Sequence, residues 1–123
     1  MVTKVISSTG SVLYESEPAI LRSVLRPETA RTVLDMMEFT TTMGTSKREF
    51  ANNKANRLAG IRVAAKTGTL RGENPLGLNH WFIAAAPINN PKIALAIIVM
   101  DGGTIDSKPS HIGRLVLEKY LLG

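Results

Sequence analysis

Val63-Ala64-Ala65-Lys66-Thr67-Gly68-Thr69 is the stretch that decides how this chain is read. It begins as an apolar β-strand and ends in a lysine, two hydroxyls and a glycine. Apolar strands ordinarily hide their side chains. This one finishes in groups that hold an anion and move a proton. On a strand the side chains alternate, so Lys66 and Gly68 share one face and Thr67 and Thr69 the other. Glycine at 68 leaves a notch beside the lysine. A strand edge there can present N–H and C=O groups to an extended ligand. Positive charge, hydroxyl donors and an open edge suit a carboxylate-bearing peptide. Taken alone, the four residues from Lys66 to Thr69 are a weak signal, because an ordinary strand end leading into a turn reads the same way.

The neighbouring segments give the stretch a context. The first strand is expected over Leu58 to Thr69, followed by a loop from Leu70 to Asn79 that holds Gly72, Asn74, Pro75 and Gly77. His80 to Ala86 is the second strand, stopped by Pro87. Lys92 to Met100 is the third; it is apolar on both faces, which suggests a central or doubly covered position. The turn at Asn89-Asn90-Pro91 is too short for a parallel crossover, so these two strands are antiparallel. Upstream, Pro27 to Met43 is a helix. Pro27 suits its first turn, and Ala30, Val33, Leu34, Met37 and Thr41 fall on one face. Gly44 is the expected C-terminal cap. Thr45 to Arg57 is a short helix or loop, and Ala19 to Leu25 a strand or helical turn. Met1 to Tyr14 reads as a hairpin around Gly10. Ser110 to Leu122 is the closing helix, with Ser110 as N-cap, Ile112, Val116 and Tyr120 along one row, Leu117 and Leu121 beside them, and Arg114, Glu118 and Lys119 away from that face. Gly113 would allow close approach to the sheet. The fold class is therefore α+β: three consecutive antiparallel strands plus an N-terminal hairpin, packed by two main helices.

Composition narrows the partners. The chain has 123 residues, within the range of one domain, and no cysteine, so disulfides and thiolate metal sites are excluded. No run of about 18 apolar residues is present, and Met1-Val2-Thr3-Lys4 does not lead into a signal peptide. The net charge is +5, and Lys47, Arg48, Lys54, Arg57, Arg62, Lys66 and Arg71 fall within 25 residues opposed only by Glu49. Such a patch favours nucleic acid, anionic lipid or a carboxylate substrate, or is simply a solvated surface. Aromatic residues are 5% and are not interleaved with the basic ones, which argues against nucleic-acid stacking. Asp101 and Asp106 flank a glycine-rich turn, but two isolated carboxylates lack the ligand density of a calcium loop. No metal or cofactor is expected. His80 reads as a strand-start residue with a local partner, and Trp81 and Phe82 as sheet packing.

In this order the segments resemble the transpeptidase domain of penicillin-binding proteins, the serine enzymes that cross-link peptidoglycan. The features are Arg26-Pro27-Glu28-Thr29-Ala30 opening a helix, Gly44-Thr45 after it, and Ala59-Gly60-Ile61-Arg62 leading into Val63 to Thr69. His80-Trp81-Phe82-Ile83-Ala84-Ala85-Ala86-Pro87, the Lys92 to Met100 strand and the Ser110 to Leu122 helix complete the set. The similarity covers about residues 26–122. A Lys-Thr-Gly motif on a strand is an element of this family and of the related β-lactamases. The resemblance implies a partial β-lactamase/transpeptidase-like fold, and makes Lys66 and Thr69 catalytic and Thr67, Gly68 and Thr69 substrate-binding. Lys66 would supply positive potential and take part in proton movement around a serine nucleophile. Thr67 and Thr69 would hydrogen-bond the carboxylate of a D-Ala-D-Ala stem peptide or of a β-lactam. The Thr69 N–H would be one of two oxyanion donors.

The family also requires Ser-x-x-Lys and Ser-x-Asn, and neither occurs in these 123 residues. Only 65 residues precede Lys66, too few for the usual layout. Residues 1–123 are therefore expected to be the C-terminal segment of such a domain, inactive alone. The remainder of the domain would be its partner, with no nucleic acid and with membrane contact only through a separate N-terminal anchor. The implied location is the periplasmic or extracytoplasmic face of the cell membrane. Two rivals are a non-catalytic β-lactam-sensing or peptide-binding module on the same scaffold, and an unrelated basic domain that binds anionic polymer.

Overall fold

The computed structural model describes residues 2–17, 22–51, 56–73, 76–101 and 107–123. A hairpin of β1 (Lys4–Ile6) and β2 (Val12–Glu15) comes first, its turn closed by Gly10 at φ 84°. Helix α1 (Pro27–Thr42) and a single turn, α2 (Lys47–Phe50), follow. Then come β3 (Ala64–Glu73), β4 (Leu76–Ala86), β5 (Ile93–Asp101) and helix α3 (Pro109–Leu122). The three long strands form one antiparallel sheet in the order β3-β4-β5. Residues 22–26 are in neither helix nor strand, and Ala19, Ile20 and Leu21, also part of the Ala19–Leu25 segment, lie outside the described residues.

The core lies between one face of the sheet and α3. Val63 and Ala65 leading into and on β3, and Phe82, Ala84 and Ala86 on β4, turn their side chains to that face and meet Leu117 and Leu58. Phe50 of α2 stacks on Phe82, with ring centroids 6.1 Å apart. Gly113 permits the approach of α3: a Cβ there would stand 2.5 Å from Cε1 of Phe82. That ring is fully buried, so it has no room to yield.

The first strand starts later than expected. Leu58 to Gly60 form a turn, with Gly60 at φ 86° and Ile61 N–H donating to the Leu58 carbonyl at 2.8 Å. Asn56 fixes that turn by donating to the Phe50 carbonyl at 2.9 Å and accepting from Leu58 N–H at 3.0 Å. Leu58 is thus a core residue delivered by a turn. The expected 70–79 loop is instead the outer part of a long hairpin, in which Leu70↔Asn79, Arg71↔Leu78, Gly72↔Gly77 and Glu73↔Leu76 are paired. Among the described residues β5 is not central: it is the last strand, with Ile93, Leu95, Ile97 and Val99 half-buried and Ala94, Ala96, Ile98 and Met100 exposed.

Helix α3 is rotated somewhat from the expected face: Gly113, Leu117 and Leu121 turn toward the core as that face requires, but Arg114 and Glu118 go inside in place of Val116 and Tyr120. Its buried positions are Pro109, Ser110, Gly113, Arg114, Leu117 and Glu118, while Val116 and Tyr120 are exposed. Lys108, not Ser110, is the N-cap. The Glu118 carboxylate accepts from the Arg57 backbone N–H at 2.9 Å and from the Arg114 guanidinium at 2.5 Å. A buried ion pair is tolerated when its charges are mutually satisfied in this way. On α1, Ala30, Leu34, Met37 and Thr41 form the inner face, and Val33 lies outside it. Gly44 follows the helix as expected, donating to the Phe39 carbonyl at 2.6 Å. The glycine is needed for space: a Cβ would sit 2.9 Å from the Thr40 Cα.

Candidate active site

Helix α1 with the turn after it, and β3 with the residues before it, are joined by side-chain hydrogen bonds at three points. The Thr41 hydroxyl donates to the Val63 carbonyl at 2.9 Å. Arg62, just before β3, reaches back to α1, donating to Glu38 at 2.6 and 2.9 Å and to Asp35 at 2.9 Å. Hydrogen bonds to Glu38 first, then to Asp35, hold the guanidinium above its ordinary pKa range. The third point lies in the Lys66–Thr69 stretch, where Thr45 Oγ1 and Thr67 Oγ1 are 2.7 Å apart.

Lys66, Thr67, Gly68 and Thr69 all lie on β3, opposite Ile83, Phe82, Trp81 and His80 respectively. On its other side β3 has no strand partner among the described residues. Lys66 is exposed and its Nζ donates to the Thr67 carbonyl at 2.5 Å. Thr69 Oγ1 lies 3.3 Å from His80 Nδ1, giving His80 the local partner its position suggested. A Cβ on Gly68 would meet only Trp81 Cβ, at 3.6 Å, an ordinary contact. Nothing packed within the described fold requires glycine there.

A cavity of about 370 Å³ opens beside this strand, lined by Phe39, Met43, Gly44 and Thr45 from the end of α1 and by Lys66 and Thr67. Its floor therefore joins the lysine and one hydroxyl to a second hydroxyl that periodicity did not single out. Thr45 and Thr67 are separated by 22 residues. The only sequence signal for the contact was the Gly44-Thr45 pair quoted with the family resemblance. Among the described residues no three metal-ligating side chains gather, and Asp106 lies outside them. No helix among the described residues is long and apolar enough to cross a membrane.

Residues 1–119 match the model of the penicillin-binding protein transpeptidase domain. The chain belongs to that family. Among related sequences it is 34% identical over 96 residues to the peptidoglycan D,D-transpeptidase PbpA of Mycolicibacterium smegmatis, a match covering 76% of this chain and 18% of PbpA. It is 32% identical over 92 residues to the peptidoglycan D,D-transpeptidase MrdA of Haemophilus influenzae, covering 63% of this chain and 13% of MrdA. The chain thus spans less than a fifth of the length of these relatives. Among solved structures it is similar to the D,D-transpeptidase domain of a peptidoglycan glycosyltransferase from Eggerthella lenta. That match has a TM-score of 0.71 and 27% identity, and covers 97% of this chain and 26% of the other. Penicillin-binding protein A from M. tuberculosis, solved as an imipenem acyl-enzyme complex, shares the fold with a TM-score of 0.71 at 23% identity, over 97% of this chain and 25% of that one. The partial transpeptidase fold with its three-stranded sheet, hairpin and helices agrees with these neighbours.

Proposed function

We propose that residues 1–123 are the C-terminal segment of a peptidoglycan D,D-transpeptidase domain and supply the substrate-side wall of its acyl-transfer site. The observation that carries this reading is the placement of Lys66-Thr67-Gly68-Thr69 on a strand whose outer edge is covered by no other strand among the described residues. A stem peptide ending in D-Ala-D-Ala lies along that edge as an additional strand, its carboxylate against the Thr67 and Thr69 hydroxyls. Gly68 keeps the edge clear, consistent with a glycine that packing does not demand. Lys66 places a charge where the anion and the developing oxyanion need one. The Thr69 N–H donates to the oxygen of the tetrahedral intermediate. The serine that attacks the carbonyl, its activating lysine and the second oxyanion donor come from the Ser-x-x-Lys and Ser-x-Asn half of the domain. A β-lactam takes the same position and acylates the serine. The working site lies on the extracytoplasmic face of the cell membrane, with any anchor contributed outside these 123 residues.

The test is labelling by a fluorescent penicillin. The 123-residue chain forms no covalent adduct, and the complete domain forms one. In that domain, Thr67→Val or Thr69→Val slows acylation by about tenfold to a hundredfold, the worth of a hydrogen bond to a charged group. Covalent labelling of the isolated chain, or undiminished labelling of both variants, overturns the reading.

A further inference from the structure

The two shortest contacts of the functional strand differ in kind. Lys66 bonds within the motif, whereas Thr67 bonds to Thr45, outside it. We infer that Thr45 is a positioning residue: its hydroxyl donates to Thr67 Oγ1 and thereby directs the Thr67 proton toward a bound carboxylate. The inference rests on the reading of Thr67 as an anion-binding group.

A hydroxyl has one proton to give and lone pairs to receive. At 2.7 Å, one of the two threonines donates and the other accepts. If Thr67 donates to Thr45, it has no proton left for a carboxylate, which itself brings none. If Thr45 donates, Thr67 is free to donate outward and is polarised to do so. An arriving anion therefore selects the second arrangement, and the pair acts as a two-step relay ending on the ligand.

The position of Thr45 is suited to this. It lies between α1 and α2 in a hydrogen-bonded turn, where Ser46 N–H donates to the Thr40 carbonyl at 3.0 Å and Lys47 N–H to the Gly44 carbonyl at 3.1 Å. Gly44 lets that turn close against Thr40. The helix is in turn fastened to the root of β3 by Thr41 and by the Arg62 fork. Thr45 and Thr67 are thus held by one clamped pair of elements, and both line the same cavity.

The experiment compares benzylpenicillin with its methyl ester, which lacks the carboxylate, as competitors of a fluorescent penicillin on the complete transpeptidase domain carrying this segment. The readout is the ratio of their acylation rates. Thr45→Val should lower that ratio by about threefold to tenfold, the worth of one neutral hydrogen bond. Thr45→Ser, which keeps the hydroxyl, should leave it at the wild-type value. Should valine prevent folding, Thr45→Ala makes the same comparison. An unchanged ratio in the valine or alanine variant overturns the inference, including the case in which both rates fall equally. So does a serine variant that loses as much as the valine one. Thr67→Val separates the two levels: if it leaves the ratio unchanged, the anion-binding reading itself fails, whereas a fall there without a fall at Thr45 refutes only the relay.

Discussion

The two faces of the β3-β4-β5 sheet are built from similar residues and have opposite fates. On one, Phe82 and Ala86 are fully buried and Ala84 nearly so, sealed under α3. On the other, Trp81 and Ile83 are 42% exposed, Ile98 43% and Met100 64%. Adjacent residues of one strand thus sit in a finished core and on an open apolar surface. Lys66 and Gly68 belong to the open face, by their pairing with Ile83 and Trp81. An apolar surface of this kind around a charged group marks a place where further structure docks. Under the proposed function that structure is the remaining half of the domain, and the open face is where the lysine meets the nucleophile. The closed face carries stability within this chain; on the same reading the open one gains its role in the assembled domain.

The sharpest way to break this contrast is to delete one aromatic from each face. Phe82→Ala removes a fully buried ring and costs about 3–5 kcal/mol. Trp81→Ala, its neighbour on the open face, costs less, about 1–2 kcal/mol, because the side chain is 42% exposed and leaves no closed cavity behind. Chemical denaturation of both variants measures the difference, and equal losses would mean the two faces are not distinct. The buried ion pair on α3 comes close behind. Glu118→Ala leaves the Arg114 charge buried without that carboxylate and costs about 3–5 kcal/mol by the same measurement. Gly113→Ala follows at about 1–3 kcal/mol, since its new methyl overlaps the Phe82 ring and forces α3 from the sheet.

These variants also show which parts of the molecule were legible in the residues. The order hairpin, helix, three strands, helix was readable because the apolar period changes between elements and turn residues stand between them. Extents were less so. Gly72 and Gly77 read as loop residues, yet they face each other across the ladder inside the strands, while Asn74 and Pro75 lie outside the described residues. The orientation of α3 departs from its apolar pattern, because hydrophobicity alone does not decide burial there. Arg114 and Glu118 go inside as a mutually satisfied pair, and Ile112, Val116 and Tyr120 are left outward or half-covered. At the candidate site the four residues from Lys66 to Thr69 could be placed on one strand from their own pattern. Thr45 could not be joined to them, since a contact spanning 22 residues leaves no local period.

A milder perturbation addresses solubility. Ile98→Glu places a charge on the open face and should cost less than about 1 kcal/mol in the isolated chain, while shifting it from aggregate toward monomer in sedimentation. If, as the proposed function requires, the complete domain covers this face, the same change there should lower its stability by about 1–3 kcal/mol, because the charge is then buried without a partner. A substitution that is equally harmless in both contexts would show that nothing docks there.

The smallest expected effect on stability bears most directly on the site. Gly68 has no positive φ among the described glycines, and its added Cβ would come only to 3.6 Å from Trp81. Gly68→Ala should therefore change stability by about 0.5 kcal/mol at most, and in the stabilising direction, because alanine restricts the unfolded chain more than glycine does. Yet under the proposed function the methyl projects beside Lys66 into space that the substrate strand would use. In the complete domain, penicillin acylation should fall by about tenfold or more while the melting temperature stays level or rises. The two readouts then move in opposite directions. A glycine kept for packing would show the reverse pairing, with a lower melting temperature and no separate loss of acylation. The sign of that pair of changes decides whether position 68 is left bare for the fold or for the ligand.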